Sequence, residues 1–327
     1  MILVVSHADD DHAGAVLAEL DRLAVPAVLF DVASFPQHAS VVLRYGDPTG
    51  ASLRLRDQHG RTIDLGAVST VWWRRARSIE LDPDVPAEEA PFTYNECVEA
   101  LHGLWTTVDA FWVNEPARDR AAAYKAHQLR VAEDVGLRIP RTAITNDPDE
   151  AKAFIAERRP QPTAYKCFSA TPEQWRETRL LRPDELALLA HVQVAPVIFQ
   201  EYVPAQADLR VTIVGEHCFA AAIRSRHDAY PVDFRMDLAS AQVEPTTLPA
   251  QVEQRLRALL ERLGLVYGAV DLRLTPQGEH VFLEVNTAGQ WRFVEQRTRQ
   301  PITAAVARTL AEGTTPVRAG ATAVHGS

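Results

Sequence analysis

The stretch from Gly268 to Trp291, GAVDLRLTPQGEHVFLEVNTAGQW, constrains the fold of this chain more than any other. Two runs rich in apolar residues flank Pro276-Gln277-Gly278-Glu279, a cluster of residues that favour turns. This pattern predicts a β-hairpin. With the turn centred there, Asp271 pairs with Glu284, and the two-residue period of a strand then sorts the remaining side chains into two faces.

The predicted hairpin has an apolar face and a polar face. On the apolar face, Val270, Leu272 and Leu274 lie opposite Val285, Leu283 and Val281. The polar face carries Asp271, Glu284 and Asn286. Two opposed carboxylates repel each other, so we expect a cation between them, and we expect the ligand-free protein to keep its stability when one charge is removed. These oxygens suit Mg²⁺; a solvated face with two unrelated acids is the alternative.

Composition narrows the class of protein. The chain has 327 residues, of which 46% are hydrophobic, which suggests two or three domains. Its net charge of -9 makes nucleic acid a poor partner. The first residues lack the pattern of a signal peptide, and no apolar run is long enough to span a membrane. The scattered cysteines Cys97, Cys167 and Cys218 indicate neither disulfides nor zinc. We therefore expect a cytoplasmic protein.

The order of predicted elements indicates an α/β beginning. Strand Ile2–Val5, a helix from about His12 to Ala24 and strand Ala27–Val32 form a β-α-β unit, which implies a parallel sheet. The acidic cluster before this helix favours N-capping over metal binding. Further on, the pattern predicts one long helix from about Arg118 to Val135.

Lysine is rare in this chain, so each lysine is informative. Among 34 basic residues only Lys125, Lys152 and Lys166 are lysines. Lys152 falls in an exposed helix pattern and we expect it to be solvated. Lys166 lies in TAYKCF, within a predicted strand, where a buried charge is costly unless it meets an anion. The alternative is an edge lysine whose ammonium group reaches water.

Arginines form two further groups of interest. In Trp72-Trp73-Arg74-Arg75 the adjacent tryptophans of a strand point to opposite faces, so we expect one of them in the core. The two arginines there either hold an anionic substrate or face water. Arg210, Arg224 and Arg235 lie on or near neighbouring strands and suggest a local positive pocket in an acidic protein, with ordinary surface arginines as the alternative. Neither common glycine-rich phosphate motif occurs.

Taken in order, Lys125, the strand lysine Lys166, QEYV, DLRV, GAVDLRL and FLEVN resemble the ATP-grasp superfamily over nearly the whole chain. The resemblance implies an ATP-grasp fold with an N-terminal pre-ATP-grasp α/β domain and α+β subdomains behind it. The implied boundaries are 1–115 for the first domain, 116–198 for the central subdomain and 199–312 for the C-terminal subdomain. The tail 313–327 is expected to be disordered.

The same resemblance implies roles for particular residues. Lys125 and Lys166 are expected to bind the phosphates of ATP, and Asp208 the ribose. Adenine is expected to meet the segment Gln200, Glu201, Tyr202 and Val203, the last through its backbone. Asp271, Glu284 and Asn286 are expected to ligate Mg²⁺, in agreement with the register derived from the hairpin itself.

Within the superfamily, VWWRR, IRSR with VDFR, and EVNTAGQW resemble the maturases of microviridin-type peptides, the graspetides. This implies a ribosomally made precursor peptide as partner, whose Asp or Glu side chains are phosphorylated by ATP and then joined to Ser, Thr or Lys side chains. Substrate is expected to meet Trp73, Arg74, Arg75, Ser225 and Asp233. The arginines Arg210, Arg224 and Arg235 are expected to bind the acidic group and stabilise the oxyanion.

Other functions remain open on the sequence. A carboxylate–amine ligase that adds glutamate to a peptide or protein, or one that makes a dipeptide, would keep the ATP motifs and change the acceptor pocket. An inactive ATP-binding regulator is less favoured, because the expected metal ligands are present. The bond formed, ester or amide, is open as well, and so is a homodimer.

Overall fold

The computed structural model describes residues 1–48, 50–168, 178–225, 238 and 240–313. It divides into two compact units, one of Met1–Pro116 with the chain from Thr303 onward, the other of Ala117–Ile302. The finer boundaries expected at residues 115, 198 and 312 stay predictions. Asp233, Arg235 and the tail from residue 314 lie outside the described residues, so the expectations placed on them are not addressed below.

The elements up to residue 113 are seven strands and two α-helices among the described residues. In chain order they are β1 (Ile2–Val5), α1 (Asp11–Arg22), β2 (Ala27–Phe30), β3 (Ser40–Arg44), β4 (Ser52–Arg56), β5 (Thr62–Asp64), β6 (Thr70–Trp73), α2 (Ala90–Thr107) and β7 (Phe111–Val113). Strands β2, β1, β6 and β7 form a parallel sheet in that order, which confirms the predicted β-α-β beginning. Strands β3, β4 and β5 form a separate antiparallel sheet.

The core of this first unit is built around tryptophans. Trp72 is buried, and Trp105 of α2 packs edge-on against Phe30, Trp73 and Trp112. The carboxylate of Asp10 accepts a hydrogen bond from the backbone N–H of His12 at 3.1 Å, which makes it the N-cap of α1. The predicted capping role of the acidic cluster is thereby confirmed.

The rest of the chain forms two antiparallel sheets with helices between their strands. The elements are α3 (Pro116–Ala123), α4 (Lys125–Asp134), β8 (Thr142–Thr145), α5 (Pro148–Arg158), β9 (Thr163–Lys166), β10 (Arg179–Leu180), β11 (Val197–Glu201), β12 (Ala207–Val214), β13 (His217–Arg224), β14 (Gln242–Thr246), α6 (Ala250–Leu263), β15 (Tyr267–Leu274), β16 (His280–Asn286), α7 (Arg292–Thr298) and α8 (Ile302–Glu312). No helix among the described residues is both long enough and apolar enough to cross a membrane.

The smaller sheet of the second unit has the order β10, β9, β11, β8. One face packs Phe199 against Phe154 and Ile155 of helix α5. Lys166 lies directly opposite Ile198 across the β9–β11 pair, and neighbouring residues of a strand alternate between the faces. Lys166 therefore lies on the face away from α5, where Gln200 also lies two residues along β11 from Ile198.

The larger sheet has the order β14, β13, β12, β15, β16, and its two faces differ in chemistry. Helices α4 and α6 cover the apolar face, where strand residues such as Leu209 and Val270 meet Leu256 and Leu260. The residues on the opposite face follow from the pairing of Arg210 with Asp271, Asp208 with Arg273 and Asp271 with Glu284. We call this second face the polar face.

The predicted register of the hairpin is right at its centre and wrong toward its turn. Asp271 pairs with Glu284, as expected, but Leu272 pairs with Phe282, and Leu283 lies at a register shift. The reason is a β-bulge, in which one strand contributes an extra residue. Phe282, which is fully buried, thus takes the place on the apolar face that the simple alternation assigned to Leu283.

The long helix predicted from Arg118 to Val135 is instead two helices, α3 and α4. Tyr124 interrupts them with extended backbone angles, φ -71° and ψ 115°. Its carbonyl accepts the hydrogen bond of the Gln128 N–H, so α4 begins afresh at Lys125. A break of one residue leaves the apolar periodicity almost unchanged, which explains why the sequence pattern reads as continuous.

Candidate active site

The three predicted metal ligands meet on the polar face of the larger sheet. The amide nitrogen of Asn286 donates to the Asp271 carboxylate at 3.3 Å and to the Glu284 carboxylate at 3.2 Å. Asp271 is buried, whereas Glu284 and Asn286 are half-buried. The strand pairing of β15 with β16 brings these groups together, because Asp271 and Glu284 are directly opposed.

Two basic side chains of the protein offset these carboxylates. The Arg210 guanidinium lies 3.0 Å from the Asp271 carboxylate, and both side chains are 8% exposed. The Lys125 ammonium lies 2.7 Å from the Glu284 carboxylate. The expectation that the acids are tolerable neighbours only around a bound cation is therefore wrong. Arg210 reaches Asp271 from β12, and Lys125 reaches Glu284 from α4.

Arg273 was not predicted from the sequence, yet it contacts three of the residues expected to bind nucleotide in and between β11 and β12. Its guanidinium donates to the Asp208 carboxylate at 3.0 Å and to the Val203 carbonyl oxygen at 2.9 Å. The same group lies over the Tyr202 ring, 5.5 Å from its centre. Arg273 is 5% exposed. A signal was present, since Arg273 stands two residues from Asp271 in a strand and so shares its face.

Two other residues of that segment are held by contacts with helix α5 and with the start of strand β8. The Glu201 carboxylate accepts from the Arg141 backbone N–H at 3.1 Å and lies 3.4 Å from the Arg158 guanidinium. The Gln200 amide donates to the Thr142 hydroxyl at 2.9 Å. Contacts with adenine stay a prediction for both residues. In the structure, Glu201 also connects β11 to the end of α5 through its ion pair with Arg158.

The loop that follows Asn286 folds back onto the polar face. The Tyr267 hydroxyl donates to the Gly289 carbonyl oxygen at 2.7 Å, and a side chain at Gly289 would place its Cβ 2.3 Å from the Ala269 Cβ. The pKa of Asp119 on α3 is raised, because the effect of burial is larger than the opposing effect of its hydrogen bond with Thr287 in this loop. The loop therefore has little freedom next to the predicted metal ligands.

Of the three arginines predicted to form a positive pocket, Arg210 and Arg224 lie on opposite faces of the larger sheet, and Arg235 lies outside the described residues. Arg210 pairs across β12–β13 with Ala221, and Ala222 faces the apolar core, so the alternation places Arg224 on the face opposite to Arg210. Arg224 is exposed and lies 3.4 Å from the Glu244 carboxylate. Ser225 follows directly and is half-buried.

The predicted substrate residues Trp73, Arg74 and Arg75 belong to the first unit. Trp73 packs on Trp105 and Arg75 is exposed, whereas the Arg74 guanidinium is buried 3.4 Å from the Asp10 carboxylate. Burial raises the pKa of Asp10, but the hydrogen bond from His12 and the charge of Arg74 hold it well below its usual range. The structure thus gives Arg74 a place in the core, and a contact with substrate stays a prediction for all three residues.

Two family models together account for nearly the whole chain. Residues 1–120 match the MvdD pre-ATP grasp domain, and residues 121–310 match the RimK-like ATP-grasp domain. With the sheets and the polar face described above, these matches define an ATP-binding enzyme of the ATP-grasp fold, an ATP-dependent ligase. The chain belongs to the RimK-like ATP-grasp family. In a search of curated proteins, no sequence matches.

Solved structures of similar fold include two macrocyclases and a RiPP-associated ligase. The macrocyclase MdnC from Microcystis aeruginosa MRC, bound with precursor peptide MdnA, is 30% identical with a TM-score of 0.85, over 95% of this chain and 99% of that one. A RiPP-associated ATP-grasp ligase from Chryseobacterium gregarium, in complex with ADP and a leader and core peptide, is 27% identical with a TM-score of 0.87, over 95% and 96%. The macrocyclase MdnB from Microcystis aeruginosa MRC is 28% identical with a TM-score of 0.80, over 94% and 98%.

These comparisons confirm the predicted fold class, with its pre-ATP-grasp domain, and the predicted ligase class. They also confirm the resemblance to graspetide maturases, since the similar structures include two macrocyclases and a RiPP-associated ligase. They assign no role to individual residues of this chain, so the site residues stay predictions.

Replacing Gly289 with alanine is expected to weaken binding of nucleotide with Mg²⁺. The new Cβ would lie 2.3 Å from the Ala269 Cβ and 3.2 Å from the Asn286 Cβ, so the loop must shift next to a predicted ligand. Overpacking of this kind costs roughly 1–3 kcal/mol. Titration of ADP binding in Mg²⁺ measures the effect. Gly103→Ala, in helix α2 with open space around it, is the control, and equal binding by both variants would contradict the expectation.

Proposed function

We propose that this enzyme is a graspetide-type macrocyclase that acts on the side chains of a ribosomally made precursor peptide. ATP phosphorylates an Asp or Glu side chain of the peptide, and a Ser or Thr hydroxyl or a Lys amine then displaces phosphate to close an ester or amide ring. The observation that carries this proposal is the similarity to the macrocyclase MdnC, which extends over 95% of the chain and thus includes the pre-ATP-grasp unit.

The residues of the polar face fit a divalent cation. Two carboxylates and a carboxamide converge there, all buried or half-buried, and hard oxygen donors of this kind suit Mg²⁺ beside phosphate oxygens. Asp271, Glu284 and Asn286 would hold the ion, and an ion bound there would neutralise charge on the phosphoryl group in transfer. The chemistry of these oxygen ligands and their position on one face of the sheet both support the prediction of Mg²⁺.

The basic residues of the site are proposed to act on the phosphates and on the acidic group. Lys166 lies on the face of its sheet away from α5, and Lys125 lies at the first position of α4, next to Glu284. Both are proposed to bind phosphate oxygens. Arg210 holds Asp271 in position and is proposed to stabilise, through its positive charge, the oxyanion formed when the acyl phosphate is attacked.

The nucleotide is proposed to lie along the segment from Gln200 to Asp208. Arg273 orders the Val203 carbonyl and the Asp208 carboxylate, which are the groups expected to meet adenine and ribose. Arg273 is therefore proposed to support binding by holding these two groups in place. Because a newly made peptide and ATP occur together in the cytoplasm, we propose that compartment as the site of action, and a homodimer stays a prediction.

Mass spectrometry of a co-encoded acidic peptide tests the proposed function. The peptide, which contains Asp or Glu together with Ser, Thr or Lys, is incubated with enzyme, ATP and Mg²⁺. The expected product has lost one water per ring, and each ring closure converts one ATP to ADP and phosphate. The same peptide with its acidic residues replaced by amides is the control. An unchanged peptide mass in the presence of enzyme and ATP would contradict the proposal.

A glutamate ligase is the second candidate, and one observation favours it. The model matched by residues 121–310 is that of the RimK-like domain, and this match concerns the ATP-binding part, which carboxylate–amine ligases share. The same mass measurement separates the two functions. A gain of one glutamate residue in mass would support the amino-acid ligase, whereas loss of water supports the macrocyclase.

A further inference from the structure

Strand β16 lies at the edge of the larger sheet, and the side chain of Gln128 bonds to its backbone at one position. An edge strand leaves backbone N–H and C=O groups without a strand partner. At Val285 both groups bind the carboxamide of Gln128. The Val285 N–H donates to the Gln128 side-chain oxygen at 3.1 Å, and the Gln128 side-chain nitrogen donates to the Val285 carbonyl at 2.8 Å. One side chain thus replaces a neighbouring strand at this point.

The same carboxamide also reaches the end of helix α3. Its nitrogen donates to the Ala122 carbonyl oxygen at 2.6 Å. Gln128 is 1% exposed, so water cannot replace these bonds without opening the structure. The carboxamide therefore joins α3, α4 and β16, and the break at Tyr124 leaves the Ala122 carbonyl available to it.

The hydrogen bonds of the Gln128 carboxamide, called here the Gln128 clamp, lie next to the proposed metal site. Val285 stands between Glu284 and Asn286, so the clamp holds the backbone between two of the proposed ligands. Lys125 precedes Gln128 by three residues in α4 and so lies on the same side of the helix. The Lys125 ammonium is 2.7 Å from the Glu284 carboxylate. Gln128 therefore shares a helix with Lys125 and bonds to the residue that follows Glu284.

From these contacts we infer that Gln128 is a positioning residue, which sets the distance between the phosphate-binding lysine of α4 and the metal ligands of β16. The inference rests on the proposed role of those residues in binding nucleotide with Mg²⁺. Only a carboxamide of this length both donates and accepts at the Val285 backbone. Glutamate has the same shape, but its ionised form accepts only and would repel the Val285 and Ala122 carbonyl oxygens.

The test measures ADP binding as a function of Mg²⁺ concentration for the wild type, Gln128→Glu and Gln128→Asn. Loss of a group that orients metal ligands typically weakens metal binding by 10- to 100-fold. We expect the half-saturating Mg²⁺ concentration of Gln128→Glu to rise by about that factor. Gln128→Asn, which keeps the carboxamide but shortens its reach, is expected to give a smaller rise. His127→Ala, an exposed neighbour on the same helix, is the control and is expected to bind as the wild type does.

A purely structural role predicts a different result. It would lower the melting temperature of the ligand-free variants and leave their Mg²⁺ dependence unchanged at temperatures well below melting, which would overturn the inference. If Gln128→Glu does not fold, Gln128→Asn alone decides, by the same two outcomes. No peptide enters this assay, so failure to modify a peptide refutes the proposed macrocyclase and leaves the Gln128 result standing.

Discussion

Replacing Asp271 with asparagine is expected to reduce turnover by orders of magnitude and also to destabilise the ligand-free protein. Turnover falls because a proposed ligand of the metal that offsets phosphoryl charge is lost. Stability falls because the Arg210 guanidinium, 3.0 Å away and 8% exposed, keeps its charge while its carboxylate partner is removed. Breaking a buried pair in this way costs about 3–5 kcal/mol. Repulsion between Asp271 and Glu284 alone predicts that stability holds or rises slightly.

Thermal melting with and without Mg-ATP, beside an activity assay, measures both effects. Glu284→Gln is expected to lower turnover similarly and stability less, because the Glu284 and Lys125 side chains are 15% and 18% exposed and so remain partly hydrated. Asp149→Asn is the matched control, since Asp149 forms an exposed ion pair with Lys152, and such pairs contribute about 0–1 kcal/mol. Full activity in both Asp271→Asn and Glu284→Gln would show that this hairpin does not hold the catalytic metal.

Replacing Lys166 with methionine is expected to raise the KM for ATP and lower turnover. Lys166 lies half-buried on a face of its sheet that α5 does not cover, where its charge is proposed to meet a phosphate. A hydrogen bond to a charged group contributes roughly 1.5–3 kcal/mol, which corresponds to about a ten- to hundredfold effect. Initial-rate kinetics over a range of ATP concentrations measures it.

The control for this substitution is Lys152→Met, on the exposed surface of α5. Lys152 forms an ion pair with Asp149, a neighbour in its own helix, at 2.9 Å, and its side chain is 57% exposed. Its replacement is expected to leave ATP kinetics unchanged. Unchanged kinetics in Lys166→Met as well would mean that Lys166 extends along the sheet to reach water and binds no phosphate.

Much of the fold and part of the site follow from local patterns in the sequence. The opening β-α-β unit follows from alternating apolar runs, and its parallel pairing from the helical crossover. The pairing of Asp271 with Glu284 follows from the position of the turn and the two-residue period. The order of the lysine, acidic and amide motifs was enough to identify the ATP-grasp fold, because each motif lies within a short segment.

The partners of these motifs were decided by tertiary structure. A bulge moved Phe282 into the core and Leu283 out of register, although the local alternation is unbroken. Alternation across paired strands placed Arg224 on the face opposite to Arg210. The charge that offsets Glu284 comes from Lys125, 159 positions away in the sequence. Such contacts depend on which strands and helices meet, and no local pattern of apolar and polar residues contains that information.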